Sequence, residues 1–227
     1  ARQRRLSAGD RHRAAAPPHR RVTAPPRRHA TAPPCSSRRP SLAAASIEGM
    51  LDPKVFKAYD VRGIHPTELD EAGAYAIGRA YVEEFEPRRI AVGRDMRLAA
   101  PAMAKAVIEG AADGGADVVD IGMAGTEMVY YAVPELGLEG GIAVTASHNP
   151  KQYTGMKIVR RGALPVGGES GLNEVRDRAL RGFGPVARRG AVSTQDILGG
   201  YVEKVLSFVD VGAILPLKVV IDAADGM

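Results

Sequence analysis

The 227-residue chain has one cysteine, Cys35, and no tryptophan. A single thiol cannot close an internal disulfide, so a disulfide scaffold is excluded and a reducing, cytoplasmic location is expected. No uncharged apolar run approaches the roughly 18 residues that a bilayer-spanning helix needs, and no membrane segment is expected. Two phosphate- and acyl-transfer signatures are also missing. Nothing matches Gly-x-x-x-x-Gly-Lys-Ser/Thr, which argues against nucleotide hydrolysis. The one serine that sits like a hydrolase nucleophile, Ser147, has Thr145 and Asn149 where the elbow requires glycines.

Acid is almost absent from the first 46 residues, which hold eleven Arg and only Asp10 against them. The other 181 residues carry 20 Lys or Arg and 25 Asp or Glu, so the overall charge of +5 conceals a basic tail and a mildly acidic body. In the tail, Ala-Pro-Pro recurs at residues 16–18, 24–26 and 32–34, with Arg pairs at 20–21, 27–28 and 38–39. Such sequence buries too little apolar surface to offset its ordering entropy, so residues 1–46 are expected to be disordered. A nucleic-acid arm would use the Arg charge, but no aromatic residue is present for base stacking, and nucleic acid is not the expected partner. An organelle transit helix is opposed by the prolines of the repeats. An inert or dispensable tail is the preferred reading.

From residue 47 the composition is that of a globular protein, 45% hydrophobic and 25% charged over the whole chain. Apolar runs at residues 90–92, 118–121, 142–145, 157–159 and 218–221 read as strands, with helical patterns between them. Thr67 is placed to cap a first helix, Pro101 to begin a second that ends at Gly114-Gly115, and Thr126 to cap a third ending near Leu136. Leu198, Val202, Val205, Leu206 and Val209 fall on one face of a fourth. Alternation of strands and helices predicts a layered α/β/α domain on a mixed, largely parallel sheet over residues 47–193. Residues 194–227 read as the start of a second α/β domain, truncated within a strand-to-helix turn.

Chemistry concentrates in Thr145-Ala146-Ser147-His148-Asn149-Pro150, directly after the apolar run 142–145. Loops at the carboxyl ends of strands form the binding crevice of α/β sheets, and Asn149-Pro150 favours a turn that exposes Ser147. A phosphate there would add about −1.5 to −2 charges, with Lys151 and Lys157 close in sequence to offset them. The competing reading of the same residues is a polar turn with a solvated His148. An extended segment would point His148 away from Ser147 and bar it from acting as that serine's base.

Thr145–Pro150 resembles the phosphoserine loop of the α-D-phosphohexomutases. Phe56-Lys57-Ala58-Tyr59-Asp60-Val61-Arg62-Gly63 resembles the opening motif of the phosphomannomutase/phosphoglucomutase branch. Val92-Gly93-Arg94-Asp95-Met96-Arg97 and Tyr153-Thr154-Gly155-Met156-Lys157-Ile158 match further motifs in the same order. The resemblance implies an isomerase that interconverts hexose 1-phosphate and hexose 6-phosphate through a phosphoserine and a bisphosphate. It makes Ser147 the phosphoryl carrier and, through its phosphate, a magnesium ligand. His148 and Lys157 would move protons or steady charge, and Tyr59, Arg62 and Asn149 would bind substrate. Glucose or mannose 1,6-bisphosphate would be the activator.

Arg94 and Asp95 read equally well as an ion pair after a strand, and Asp60 as a holder of its loop. Glu127 stands where many relatives carry Pro. The family's Asp-Gly-Asp-x-Asp-Arg magnesium loop and its sugar-recognition and phosphate-binding loops do not occur before Met227. The fragment alone is therefore expected to lack mutase activity. Phosphoglucosamine mutases share the serine loop but open on a different motif. The alternative is a non-catalytic α/β module that binds anions or partners, with a nucleic-acid-binding tail.

Overall fold

The computed structural model describes residues 51–222; the expected tail, Cys35 and residues 223–227 lie outside them. The described elements run β1 (Val61–Ile64), α1 (Glu71–Phe85), β2 (Arg89–Arg94), α2 (Ala100–Asp113), β3 (Asp117–Met123) and α3 (Thr126–Glu135). They continue with β4 (Gly140–Val144), β5 (Tyr153–Arg160), β6 (Leu164–Pro165), α4 (Leu172–Arg181), β7 (Val192–Thr194) and α5 (Leu198–Leu206). One seven-stranded sheet has the order β1-β5-β4-β2-β3-β7, with β6 beside β5. Strands β4, β2, β3 and β7 are parallel neighbours, whereas β5 runs antiparallel to both β4 and β1.

The period-2 alternation of the strands builds three layers. Ile90, Val92, Val118, Ile142, Val144, Met156 and Ile158 face the core that contains residues of α1, α2 and α4. Ala91, Val119, Ile121, Ala143 and Val159 face the core formed with α3. The expected α/β/α domain with a mixed, largely parallel sheet is therefore what the chain forms. Helices α1 and α2 approach so closely that a Cβ on Gly78 would lie 2.4 Å from the Val107 carbonyl oxygen, and one on Gly110 would lie 2.1 Å from that of Tyr75. Glycine is required at this crossing because backbone packs on backbone.

Several local expectations need correction. The first helix is capped by Asp70, whose carboxylate accepts from the Gly73 N–H at 2.8 Å, while Thr67 lies in the preceding turn. The third helix is capped by Gly125 without a side-chain bond, which makes Thr126 its first residue rather than its cap. No strand forms at residues 218–221, which are exposed; a strand requires a ladder partner, and among the described residues none lies alongside. Strand β7 crosses the expected domain boundary at 193/194, pairing Ser193 with Val119 and Thr194 with Asp120. Ile197, just beyond, is buried in the core under α3.

Candidate active site

Strand β4 is buried along its whole length and delivers the chain into a loop of residues 145–152, in which Ala146 is buried and Ser147, His148 and residues 150–152 are exposed. Thr145 remains tied to the sheet through its N–H to the Gly155 carbonyl, at 2.9 Å. Its hydroxyl then accepts the Ser147 N–H at 2.8 Å, a side-chain turn that lifts the next residues off the strand line. Ser147 is exposed and adopts a left-handed conformation, φ 53°. That region is costly for any residue with a Cβ, so the surroundings must hold it there.

The turn brings the His148 ring to the serine: Nδ1 lies 3.4 Å from Ser147 Oγ. The expectation that His148 points away assumed an extended segment, and the left-handed residue removes that premise. An imidazole nitrogen at this distance can come within reach of the hydroxyl proton once substrate tightens the loop.

Beside the loop, β1 and β5 place two cations on one face. Arg62 pairs in register with Gly155, and Lys157 lies two residues further along β5, hence on the same side of the sheet. Both meet Asp60, a buried carboxylate: Arg62 Nη2 is 2.7 Å and Lys157 Nζ 3.8 Å from its Oδ2. Asp60 thus does more than hold its loop, since it positions two cations that remain partly open to solvent. Arg62 Nη1 also stands 3.5 Å from Asn149 Oδ1. The other end of the Asn149 amide donates to the Ala146 carbonyl at 2.6 Å, so Asn149 has both ends engaged within the protein. Tyr59 is 82% exposed at the tip before β1, next to Asp60. Lys151 is also exposed.

Arg94 and Asp95 do not pair with each other. Arg94 reaches Asp120 at 3.6 Å, and Asp95 pairs with Arg97 at 3.2 Å. Arg97 is the site residue that the sequence reading passes over. Its guanidinium donates to the carbonyls of Ser147, Asn149, Pro150 and Tyr153. Its place in the Gly93–Arg97 motif is the only sequence signal for it.

A serine raised at the tip of a parallel strand, flanked by a histidine and by two cations sharing one carboxylate, defines an α/β domain equipped for an anionic ligand. Residues 53–181 match the family model described as phosphoglucomutase/phosphomannomutase, alpha/beta/alpha domain I. A phosphomannomutase of Salmonella montevideo is 46% identical over 174 residues, covering 75% of this chain and 38% of the relative. A Klebsiella pneumoniae phosphomannomutase is 48% identical over 151 residues, covering 65% of this chain and 96% of the relative. The crystal structure of a phosphoglucomutase/phosphomannomutase family protein from Burkholderia thailandensis superposes with a TM-score of 0.60 at 34% identity, covering 70% of this chain and 36% of that one. The chain belongs to the phosphoglucomutase/phosphomannomutase family. It spans about 38% of the length of the Salmonella relative.

Proposed function

We propose that this chain supplies the phosphoryl-carrying serine of a phosphohexomutase that interconverts hexose 1-phosphate and hexose 6-phosphate, in the phosphomannomutase/phosphoglucomutase branch. The observation that carries the reading is Ser147 itself, exposed in a left-handed turn at the end of β4, with His148 Nδ1 at 3.4 Å. An inert polar turn gains nothing from holding a serine in that conformation, and a nucleophile gains a fixed aim.

In the priming step Ser147 Oγ attacks one phosphorus of a hexose 1,6-bisphosphate. The new Oγ–P bond forms as the P–O bond to the sugar breaks. His148 takes the hydroxyl proton and passes it to the departing sugar oxygen. In the forward half-reaction a hydroxyl of the hexose monophosphate attacks the phosphoserine, the Oγ–P bond breaks, and the hydroxyl proton passes through His148 to the serine oxygen. Reorientation of the bisphosphate and return of its other phosphate to Ser147 complete the isomerisation. Arg62 and Lys157 steady the charge on the transferring group, which suits a reaction that depends on positioning and neutralisation. Tyr59, exposed next to Asp60 in the chain, contacts the sugar.

Magnesium is part of the family expectation. Among the described residues no three His, Cys, Asp or Glu side chains stand together to hold a metal ion. Ser147, through a phosphate, is the oxygen donor that this loop would offer. The described residues do not make a magnesium site unaided, since the ion demands near-octahedral oxygen coordination.

The test is mass spectrometry of the complete gene product after incubation with glucose 1,6-bisphosphate. A single phosphate on Ser147, transferable to mannose 6-phosphate or glucose 6-phosphate, is the expected result. A protein that interconverts the hexose phosphates while Ser147 stays unmodified throughout overturns the assignment.

A further inference from the structure

We propose that Arg97 is a positioning residue for phosphoryl transfer, a clamp that fixes the left-handed geometry of Ser147 from behind the loop. The inference rests on the reading of Ser147 as phosphoryl carrier, and it adds how that serine is aimed.

Arginine carries five N–H donors, and here Nη1 and Nη2 between them donate to four carbonyl oxygens while Nε forms an ion pair with Asp95. Nη1 donates to the carbonyls of Pro150 at 2.8 Å and Tyr153 at 3.4 Å. Nη2 donates to those of Ser147 at 2.7 Å and Asn149 at 2.6 Å. Nε faces Asp95 Oδ2 at 3.2 Å, and the Asp95 carboxylate also accepts the Arg97 backbone N–H at 3.1 Å. Asp95 in turn donates its N–H to the Val144 carbonyl at 3.0 Å, the last residue of β4. The guanidinium is therefore anchored to the strand that carries the serine loop, and its side chain is only 15% exposed.

Both peptide groups flanking the Ser147 Cα are thereby committed. The N–H goes to Thr145 Oγ1 and the carbonyl to Arg97. These two bonds hold φ in the left-handed region despite its steric cost, which fixes the direction of the Cα–Cβ bond that carries Oγ. Arg97 touches carbonyl oxygens and Asp95, not Oγ, so it acts through the backbone rather than on the reacting atoms. A lysine offers three donors around a point charge and cannot reproduce a planar fork spread over four carbonyls.

The experiment compares the complete protein with its Arg97→Lys and Arg97→Ala variants. Three quantities are read: amide hydrogen exchange, the rate of Ser147 phosphorylation by glucose 1,6-bisphosphate, and kcat and KM for the hexose phosphate. In Arg97→Lys, exchange at residues 147–152 is expected to rise at least about tenfold while α1 and α2 keep their protection. Phosphorylation and kcat are expected to fall about 10- to 100-fold with KM changed less than about threefold, the signature of lost alignment. Millimolar guanidinium ion should restore part of the rate in Arg97→Ala and none in Arg97→Lys.

Unchanged loop exchange in a folded variant overturns the proposal, as does a raised KM with intact kcat. Global unfolding of both variants also overturns it by making Arg97 a residue of the fold alone. If Ser147 of the unaltered protein accepts no phosphate, the functional reading fails by itself, and the exchange measurement still decides whether the clamp exists.

Discussion

At the scale of single residues, the proposed site separates the group assigned to react from the groups that hold it. Ser147 is exposed, and its Oγ has no buried neighbour to lose. Ser147→Ala should therefore abolish turnover in the complete enzyme while shifting stability by no more than about 0.5 kcal/mol, checked by a mutase assay beside a thermal melt. Asp60 is the opposite case. Its buried carboxylate joins Arg62 to Lys157, and Asp60→Asn leaves two cations repelling each other across a weak acceptor. The expected outcome is a rise of about tenfold in KM for the hexose phosphate and a loss of about 1–2 kcal/mol, because both cations are part solvated and the pair is discounted accordingly. Steady-state kinetics and denaturant titration measure the two effects. Ser147 and His148 could be read from the sequence because the motif is continuous. The Arg97 clamp could not, since the serine lies 50 positions away and only the fold closes that gap.

Among the elements, the crossing of α1 and α2 is the tightest constraint. Gly110→Ala would drive a methyl group to 2.1 Å from the Tyr75 carbonyl oxygen, and neither backbone can yield without moving a helix. A loss of about 3 kcal/mol or more is expected, at the upper end of overpacking costs, with urea denaturation as the measurement. Strands β2, β3 and β4 were legible because buried parallel strands read as near-continuous apolar runs, and antiparallel β5 through its apolar 157–159 stretch. Strand β1 was not: Val61-Arg62-Gly63-Ile64 is four residues with a charge and a glycine, and it becomes a strand only because β5 offers a ladder. Leu172, Val175 and Ala179 are spaced for a helix face and are buried, yet α4 lies among so many charges that its apolar stripe is narrow. The shift of the first cap from Thr67 to Asp70 has a local cause. The Glu68 N–H closes a turn on the Ile64 carbonyl at 2.8 Å, so the chain is still turning where a helix was expected.

Across the whole molecule, the two ends of the sheet do different work. The carboxyl ends of β2 and β4 hold the serine loop and its clamp, and Glu139 gathers the opposite end. Its carboxylate accepts the Arg88 N–H at 2.5 Å and meets the guanidinium groups of Arg88 and Arg161. This joins the entry to β2, the entry to β4 and the exit of β5. The Arg88 N–H above all, and then the two guanidinium groups, hold the Glu139 carboxyl below its ordinary range against the opposing effect of burial. A carboxyl with a depressed folded-state pKa stabilises the fold above its unfolded value, roughly pH 4.3, and loses that contribution as pH falls through the lower folded value. The stability difference between the unaltered protein and Glu139→Gln should be full at pH 7 and shrink below about pH 4.3, measured by urea unfolding across pH.

The antiparallel seam between β1 and β5 has one more consequence. Lys157 lies on the face opposite Met156 and Ile158, and it is the one residue from Thr154 to Val159 that is not buried. Deleting Thr154 or Gly155 would exchange these addresses, sending an ammonium group toward the oily interior and a thioether out beside Arg62. Spacing within this stretch is thus as binding as residue identity, and the tip at Lys151 and Gln152 is held to length as well, because the Tyr153 N–H closes on the Pro150 carbonyl at 3.0 Å and Arg97 Nη1 reaches the carbonyls of both Pro150 and Tyr153.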